Sequence, residues 1–338
     1  MRDLKNFLRL IIGFGIAGAF LYVSFKGLNW GDFLKVFGSV NYIYIVLMLI
    51  LIILSNFFRA WRWKYLLKPV KQNTSLVHFF EATMIGYLAN NIFPRSGEVL
   101  KAYTLSNDEK ISKASTIASV LLERIIDIIF SIFFFGIAIF QNRKIFDKHY
   151  PWLSNVVSTV SIAIFVILFL IVCVLIWKDG FLRVLGKFIG FFSPSLADKV
   201  VKIIDSFISG FEVLRYKGAY WQIFVLSFSI YSCYIFAAYF PLFAFNIDRS
   251  KINLFTALVL FVVSTLGFIL PTPGGIGSYH SFITGALVGL YGVKHEVALG
   301  YAVLTHGIGY IVNGLFGFYF VLKKQVKVIS FIKRSVEM

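Results

Sequence analysis

Phe93-Pro94-Arg95-Ser96-Gly97-Glu98 and Pro271-Thr272-Pro273-Gly274-Gly275-Ile276-Gly277 each interrupt a strongly apolar stretch of the chain. Backbone surrounded by hydrocarbon has to satisfy its own hydrogen bonds, so a helix at membrane depth is broken only where protein or a water-filled cavity encloses the break. Transporters bind substrate at such discontinuities. The expected working parts are therefore these two breaks, with Pro94, Gly97, Pro271, Pro273, Gly274, Gly275 and Gly277 stopping helices and lining a cavity.

Composition points the same way. Of 338 residues, 59% are hydrophobic and 14% charged, with 39 Phe and a mean hydropathy of +0.81. A soluble domain is about 45–50% apolar and about 25% charged. The chain reads as an all-α integral membrane protein, a polytopic helix bundle forming one membrane domain over residues 1–338, because no polar stretch is long enough for a soluble catalytic domain. Lys and Arg outnumber Asp and Glu by 33 to 16, a net charge of +17. On a membrane protein that surplus signals cytoplasmic loops and anionic membrane lipids as partners, and not nucleic acid. Cys173 and Cys233 lie within apolar segments and read as small buried hydrophobes rather than a disulfide or metal pair. Arg2, Lys5 and Arg9 precede an apolar run that ends without a small-residue cleavage motif, so a first helix is expected there and not a signal peptide.

Full helices are expected near Leu8–Phe25, Tyr42–Phe58, Ser115–Phe140, Val156–Trp177, Tyr220–Phe245 and Val297–Leu322. Arg59, Arg62, Lys64, Lys68 and Lys71 cluster after the second of these, and Lys178, Arg183, Lys187, Lys199 and Lys202 open the longest loop. The positive-inside rule then places both segments and both termini in the cytoplasm of a multi-pass inner (plasma) membrane protein. Between about 178 and 219, Phe181, Leu185, Phe188, Ile189, Val200 and Ile204 recur at helical spacing among basic residues. Amphipathic helices are expected, lying on the inner leaflet or packed on the bundle.

With this orientation the stretch from His78 to Phe140 starts inside and ends outside, and the stretch from Leu254 to Leu322 does the reverse. Each runs apolar segment, Pro/Gly break, short segment, long helix. Two inverted-topology repeats are implied, about 76–140 and about 253–322, each holding a broken or re-entrant hairpin. Laying Pro94 on Pro271 sets Gly97 on Gly274 and brings the helix with Glu123 and Arg124 onto the helix with His306 and Gly307. Re-entrant hairpins are favoured. The segments around the first break are too short and charged for two spans, whereas those around the second are nearly long enough, which leaves its number of crossings open.

The first unit concentrates ionisable groups: Arg95, Glu98 and Lys101 around the break, Glu123, Arg124 and Asp127 on the helix that follows. An unpaired Asp, Lys or Arg at bilayer depth costs about 2.5–3.5 kcal/mol on insertion scales, so such groups should face a wet cavity and pair with each other or with a ligand. Glu123 and Asp127 are one helical turn apart and share a face, with Arg124 beside them. Arg95 and Arg124 suit bidentate phosphate contacts and Lys101 adds a point charge, which makes the three the expected lipid-phosphate binders. Glu98, Glu123 and Asp127 would position those cations, or accept a headgroup amine or a proton. A salt-bridge network that only ties helices together is the bland alternative.

The second break is almost uncharged. Its glycines permit positive φ and close backbone approach, and its prolines remove donors and free carbonyls. A passage for a bulky group or a tight interhelical turn would both use them. Pro-Gly-Gly-Ile-Gly lacks the Gly-Lys-Ser/Thr ending of a phosphate-binding loop, so no nucleotide cofactor is expected. His280 and His306 lie in the same unit and could serve proton coupling, although hydrogen-bonded packing is the commoner role of a membrane histidine. No metal is expected, since no His or Cys pair has ligand spacing on one helix.

The motifs Asn90-Asn91-Ile92-Phe93-Pro94-Arg95-Ser96-Gly97-Glu98 with Lys101-Ala102-Tyr103, Ser119-Val120-Leu121-Leu122-Glu123-Arg124-Ile125-Ile126-Asp127, and Pro271-Thr272-Pro273-Gly274-Gly275-Ile276-Gly277 occur in that order. In them the chain resembles the membrane region of bacterial lysylphosphatidylglycerol synthetases and the related stand-alone flippase-like proteins. The resemblance implies a protein that moves, or helps to move, a charged lipid between leaflets. Two departures stand out. Ser278-Tyr279-His280 replaces the carboxylate that often follows the Gly-rich motif, and the soluble aminoacyl-transferring domain is absent, so synthetase activity is not carried over.

The sequence thus favours a lipid flippase or lipid-carrier transporter acting on a phospholipid or a polyprenyl-phosphate-linked lipid, without cofactor. The alternatives are a membrane transferase with a lipid-phosphate donor, using Glu98 or Asp127 as general base, and a non-transporting membrane scaffold. The transferase lacks support from any nucleotide fingerprint, metal motif or nucleophile beside a base.

Overall fold

The computed structural model describes residues 2–93, 96–141, 177–209, 217–250, 252–270 and 272–325, with positions 159, 166 and 173. Pro94, Arg95, Pro271 and most of the helix expected over Val156–Trp177 lie outside the described residues. Among the described residues all regular structure is helical: α1 (Arg2–Phe25), α2 (Trp30–Gly38), α3 (Tyr42–Leu67), α4 (Leu76–Ile92), α5 (Gly97–Glu109), α6 (Lys113–Gln141), α7 (Lys178–Phe192), α8 (Pro194–Ser209), α9 (Tyr220–Ala244), α10 (Leu254–Ile269), α11 (Ser278–Tyr291) and α12 (His295–Lys324). Of these, α3, α9 and α12 are long and apolar enough to cross a membrane. The amphipathic stretch after residue 178 folds as α7 and α8, which pack on each other.

Local chemistry sets the helix ends. Asn29 and Asn41 accept from the backbone N–H groups of Asp32 and Ile43 to start α2 and α3. Asn253 and Thr256 form a reciprocal capping box at the start of α10. Lys110 and Gly292, both left-handed, stop α5 and α11 at matching places, three residues before the next helix.

Two four-helix runs have the same order and nearly the same lengths. α3, α4, α5 and α6 hold 26, 17, 13 and 29 residues; α9, α10, α11 and α12 hold 25, 16, 14 and 30. The middle pair of each run is a hairpin of short helices, 13 to 17 residues each, or about 20–26 Å at 1.5 Å per residue against a hydrocarbon core of about 30 Å.

The first hairpin enters and leaves at one end of the molecule. Glu109, the last residue of α5, accepts from the Ser75 N–H (2.9 Å) and meets His78 Nδ1 (2.7 Å) at the start of α4, while Lys71, just past α3, donates to the Glu109 carbonyl (2.7 Å). The C-terminus of α12 reaches the same end: Lys323 and Lys324 pair with Glu81 at 2.9 and 2.6 Å, and Lys324 also pairs with Asp108. α12 rises about 45 Å at 1.5 Å per residue, so it begins at the opposite end, where α11 finishes. There the Asn41 N–H donates to the Ala244 carbonyl (2.9 Å) and Asn246 Nδ2 to the Ser39 carbonyl (3.1 Å), tying the end of α9 to the turn between α2 and α3. The two hairpins therefore approach each other from opposite ends.

Their tips meet. Asn91, at the end of α4, donates from Nδ2 to the Tyr310 carbonyl on α12 (3.2 Å), and the Tyr310 hydroxyl donates back to the Asn91 carbonyl (3.1 Å). The Tyr310 ring lies against Gly274 in the second break. Around these tips α3 and α9 pack along their lengths, and α9, α10, α11 and α12 share an apolar core that includes Ile230, Leu242, Leu260, Leu287 and Tyr301.

Candidate functional site

α3 continues through Leu67, nine residues past the boundary expected at Phe58, and this overturns the placing of Arg59 and Arg62 in a cytoplasmic loop. Both arginines are buried, Arg62 completely. The physical reason is periodicity: Arg59, Arg62, Trp63 and Leu66 recur at one helical face, and no Gly or Pro interrupts the helix before Pro69. That pattern is visible in the sequence, and the arginines are the functional candidates that the loop reading missed.

The face meets α5, α6 and α9. Arg59 Nη1 donates to Glu123 Oε1 and Asp127 Oδ2, each at 2.8 Å, and Arg59 Nη2 to the Tyr234 hydroxyl at 3.0 Å. Arg62 donates to Asp127 Oδ1 (2.6 Å) and Ser227 Oγ (3.0 Å). From α5, Lys101 Nζ donates to Glu123 Oε2 at 2.5 Å and lies 4.2 Å above the Trp63 ring, whose Nε1 is in turn held by Ser119 (2.8 Å). Arg124 stands further off, 3.7 Å from Glu123 and 3.5 Å from Asp127, with 39% of its side chain exposed, and it opens the cluster to its surroundings. Glu98 lies on α5 one turn before Lys101, with its Oε2 buried.

Lys101, Glu123, Arg124 and Asp127, expected together, are thus brought together, with Glu98 at the margin. Among the described residues, counting Arg59 and Arg62, four cations stand against three carboxylates. Arg59 Nε, Arg62 Nε, Arg124 Nε and Glu98 Oε2 are enclosed without a hydrogen-bond partner among the described residues. Buried donors without partners are costly, about 1–3 kcal/mol each.

At the second break, Pro273–Gly275 forms one 3-10 turn, with Gly274, Gly275 and Gly277 at φ of +56°, +78° and +83°. His306 Nε2 donates to the Gly274 carbonyl (2.9 Å), and His280 Nδ1 accepts from the Gly277 N–H (3.2 Å). The two imidazoles, expected in one unit, face each other at 4.8 Å between ring centroids, and Tyr279 stacks on His306 at 5.0 Å. A Cβ at Gly277 would overlap the Ala17 carbonyl oxygen of α1, whereas one at Gly275 would meet only the half-exposed Phe268 ring. Gly277→Ala is therefore expected to lower the thermal midpoint in detergent more than Gly275→Ala, whose cost of about 1–3 kcal/mol comes from φ alone because the ring can turn away. Equal losses would count against a rigid contact between α1 and the break.

A charge cluster held between α3, α5, α6 and α9 defines a helical membrane protein with a polar interior. The chain belongs to the family described as the lysylphosphatidylglycerol synthase TM region, whose pattern matches residues 10–317. It is similar to a UPF0104 membrane protein of Methanocaldococcus jannaschii, 23% identical across 95% of this chain and 96% of the relative, and to another of Methanothermobacter thermautotrophicus, 26% identical across 80% and 81%. A protein named glycosyltransferase AglD from Haloferax volcanii is 23% identical across 90% of this chain and only 53% of its own length.

Proposed function

We propose that this protein is a lipid flippase or lipid-carrier transporter that moves a phosphate-containing lipid between leaflets. The observation that carries the reading is the surplus of buried positive charge: Arg59, Arg62, Lys101 and Arg124 against Glu98, Glu123 and Asp127, with three guanidinium Nε atoms unpartnered among the described residues. One phosphate anion would offset that surplus, meeting the cluster at Arg124, whose side chain is 39% exposed, while the acyl chains stay in lipid. Arg95, two residues before Gly97, would add to the same site. Glu98, Glu123 and Asp127 hold the cations in place, and Glu98 Oε2 is available to a headgroup amine or hydroxyl. The matched lengths of the two four-helix runs and the opposed hairpins support an inverted-repeat transporter in which one half rocks against the other, with His280 and His306 as the coupling groups. The substrate class is a phospholipid or a polyprenyl-phosphate-linked lipid. The end bearing Lys71, Lys323 and Lys324 faces the cytoplasm of the plasma membrane under the positive-inside rule.

Arg124 is the variant of choice, because neither of its ion pairs is shorter than 3.5 Å and its side chain is the most exposed of the four cations, so its loss should disturb folding least. Arg124→Gln is expected to weaken retention of an anionic lipid by about 10- to 100-fold, the value of one charge-assisted hydrogen bond. Native mass spectrometry of detergent-extracted protein measures this. Identical, unselective lipid profiles for wild type and variant would remove the phosphate site and leave the scaffold reading.

A further inference from the structure

Between the charge cluster and the paired histidines the interior carries uncharged polar side chains in a file. On α3, Asn56 lies one turn before Arg59; on α12, His306, Tyr310 and Asn313 share a face at spacings of four and three; and on α4, which packs against both helices, Asn91 does the same one turn after Tyr87. Asn56 Nδ2 donates to Asn313 Oδ1 at 2.7 Å, joining α3 to α12, and Asn91 and Tyr310 exchange the two bonds that join the hairpin tip to α12. Tyr310 and His306 then both touch Gly274. Each amide Nδ2 carries two hydrogens, of which these bonds use one on Asn56 and one on Asn91.

We infer that Asn56, Asn313, Asn91 and Tyr310 form a transit route for a phosphate-bearing headgroup, from the charge cluster to the second break. The inference rests on the proposed phosphate site and adds the path out of it. A cluster of four cations by itself would trap an anion, since a conducted species needs successive sites that bind it weakly enough to release it. Neutral amide and phenol groups supply such sites: they offer hydrogen bonds to phosphate oxygens and hydroxyls without a fixed charge.

The test uses full-length protein in phosphatidylcholine vesicles carrying a fluorescent phosphatidylglycerol, with transbilayer movement followed by quenching of the outer leaflet. Asn313→Asp keeps the Oδ1 acceptor of Asn56 and so the interhelical bond, but sets a negative charge on the route. Asn313→Leu removes the hydrogen-bonding stop. Both are expected to move the probe about tenfold more slowly, one hydrogen bond's worth of barrier, with lipid retention unchanged; the thermal midpoint stays at the wild-type value in Asn313→Asp and falls in Asn313→Leu, which takes the acceptor from Asn56. Wild-type rates in both variants would overturn the route while leaving the phosphate site standing, and so would losses of rate that merely follow losses of stability. A wild type that neither retains nor moves the probe overturns both through the phosphate site. Vesicles loaded with inorganic phosphate separate the two sources of this chemistry: efflux of free phosphate without lipid movement would exclude a lipid cargo.

Discussion

Arg62→Met is expected to destabilise the protein by about 3–5 kcal/mol, the cost of leaving a buried ion without its partner. The guanidinium is fully enclosed, donates to Asp127 at 2.6 Å and to Ser227 at 3.0 Å, and stands 3.6 Å from Glu123. Methionine fills much of its volume and returns none of those donors. The cost falls chiefly on Asp127, so Asp127→Asn in the same chain should recover part of the loss, and a double-mutant cycle isolates the pair. Lys64→Met, on the same helix but without a partner in the cluster, should stay within about 0.5 kcal/mol of wild type. Reversible unfolding in mixed micelles is the measurement. Equal, small effects at positions 62 and 64 would mean that the cluster is hydrated and contributes little to the fold.

Much of this architecture was legible in the sequence because the signals were local. Apolar runs located α1, α3, α6, α9 and α12, and the one-turn spacing of Glu123 and Asp127 placed two carboxylates on one face before any packing was known, whereas the short helix α2 was read as part of a loop. His280 and His306 were expected in one unit, but the contact of their rings at 4.8 Å was not. Arg59 and Arg62 were missed for a physical reason: charge close to the end of an apolar run has the same local signature in a loop as in a buried ion cluster. Only partners remote in sequence, such as Glu123 and Ser227, distinguish the two. The uncharged file was missed likewise, since Asn56 and Asn313 are separated by 257 positions and each alone is an ordinary polar interruption. Orientation in the membrane rests on the distribution of Lys and Arg and stays part of the proposal.

Gly97→Ala should be among the most damaging single-methyl changes available, and the reason is the geometry of the first hairpin. A Cβ at Gly97 would overlap the carbonyl oxygen of Gly86 on the opposite arm and lie 2.7 Å from the Asn90 side-chain carbon, while the Gly97 N–H is already committed to Asn90 Oδ1 at 2.7 Å. Gly86 is equally confined, its own Cβ position lying 2.9 Å from the Lys101 Cβ. The overlap with Gly86 involves backbone, so no side chain can swing aside and the two arms have to separate, at a cost of about 1–3 kcal/mol or more. Separation also draws Lys101, one turn along α5, away from Glu123, so loss of anionic-lipid retention should accompany loss of stability. Gly136→Ala is the control: it lies on α6 with open space where the Cβ would sit, and alanine there should be neutral or stabilising by about 0.4–1 kcal/mol through the unfolded chain. If Gly97→Ala unfolds at the wild-type midpoint and keeps its lipid, the arms are not in contact and the tip of this hairpin cannot be what sets Lys101 against the cluster.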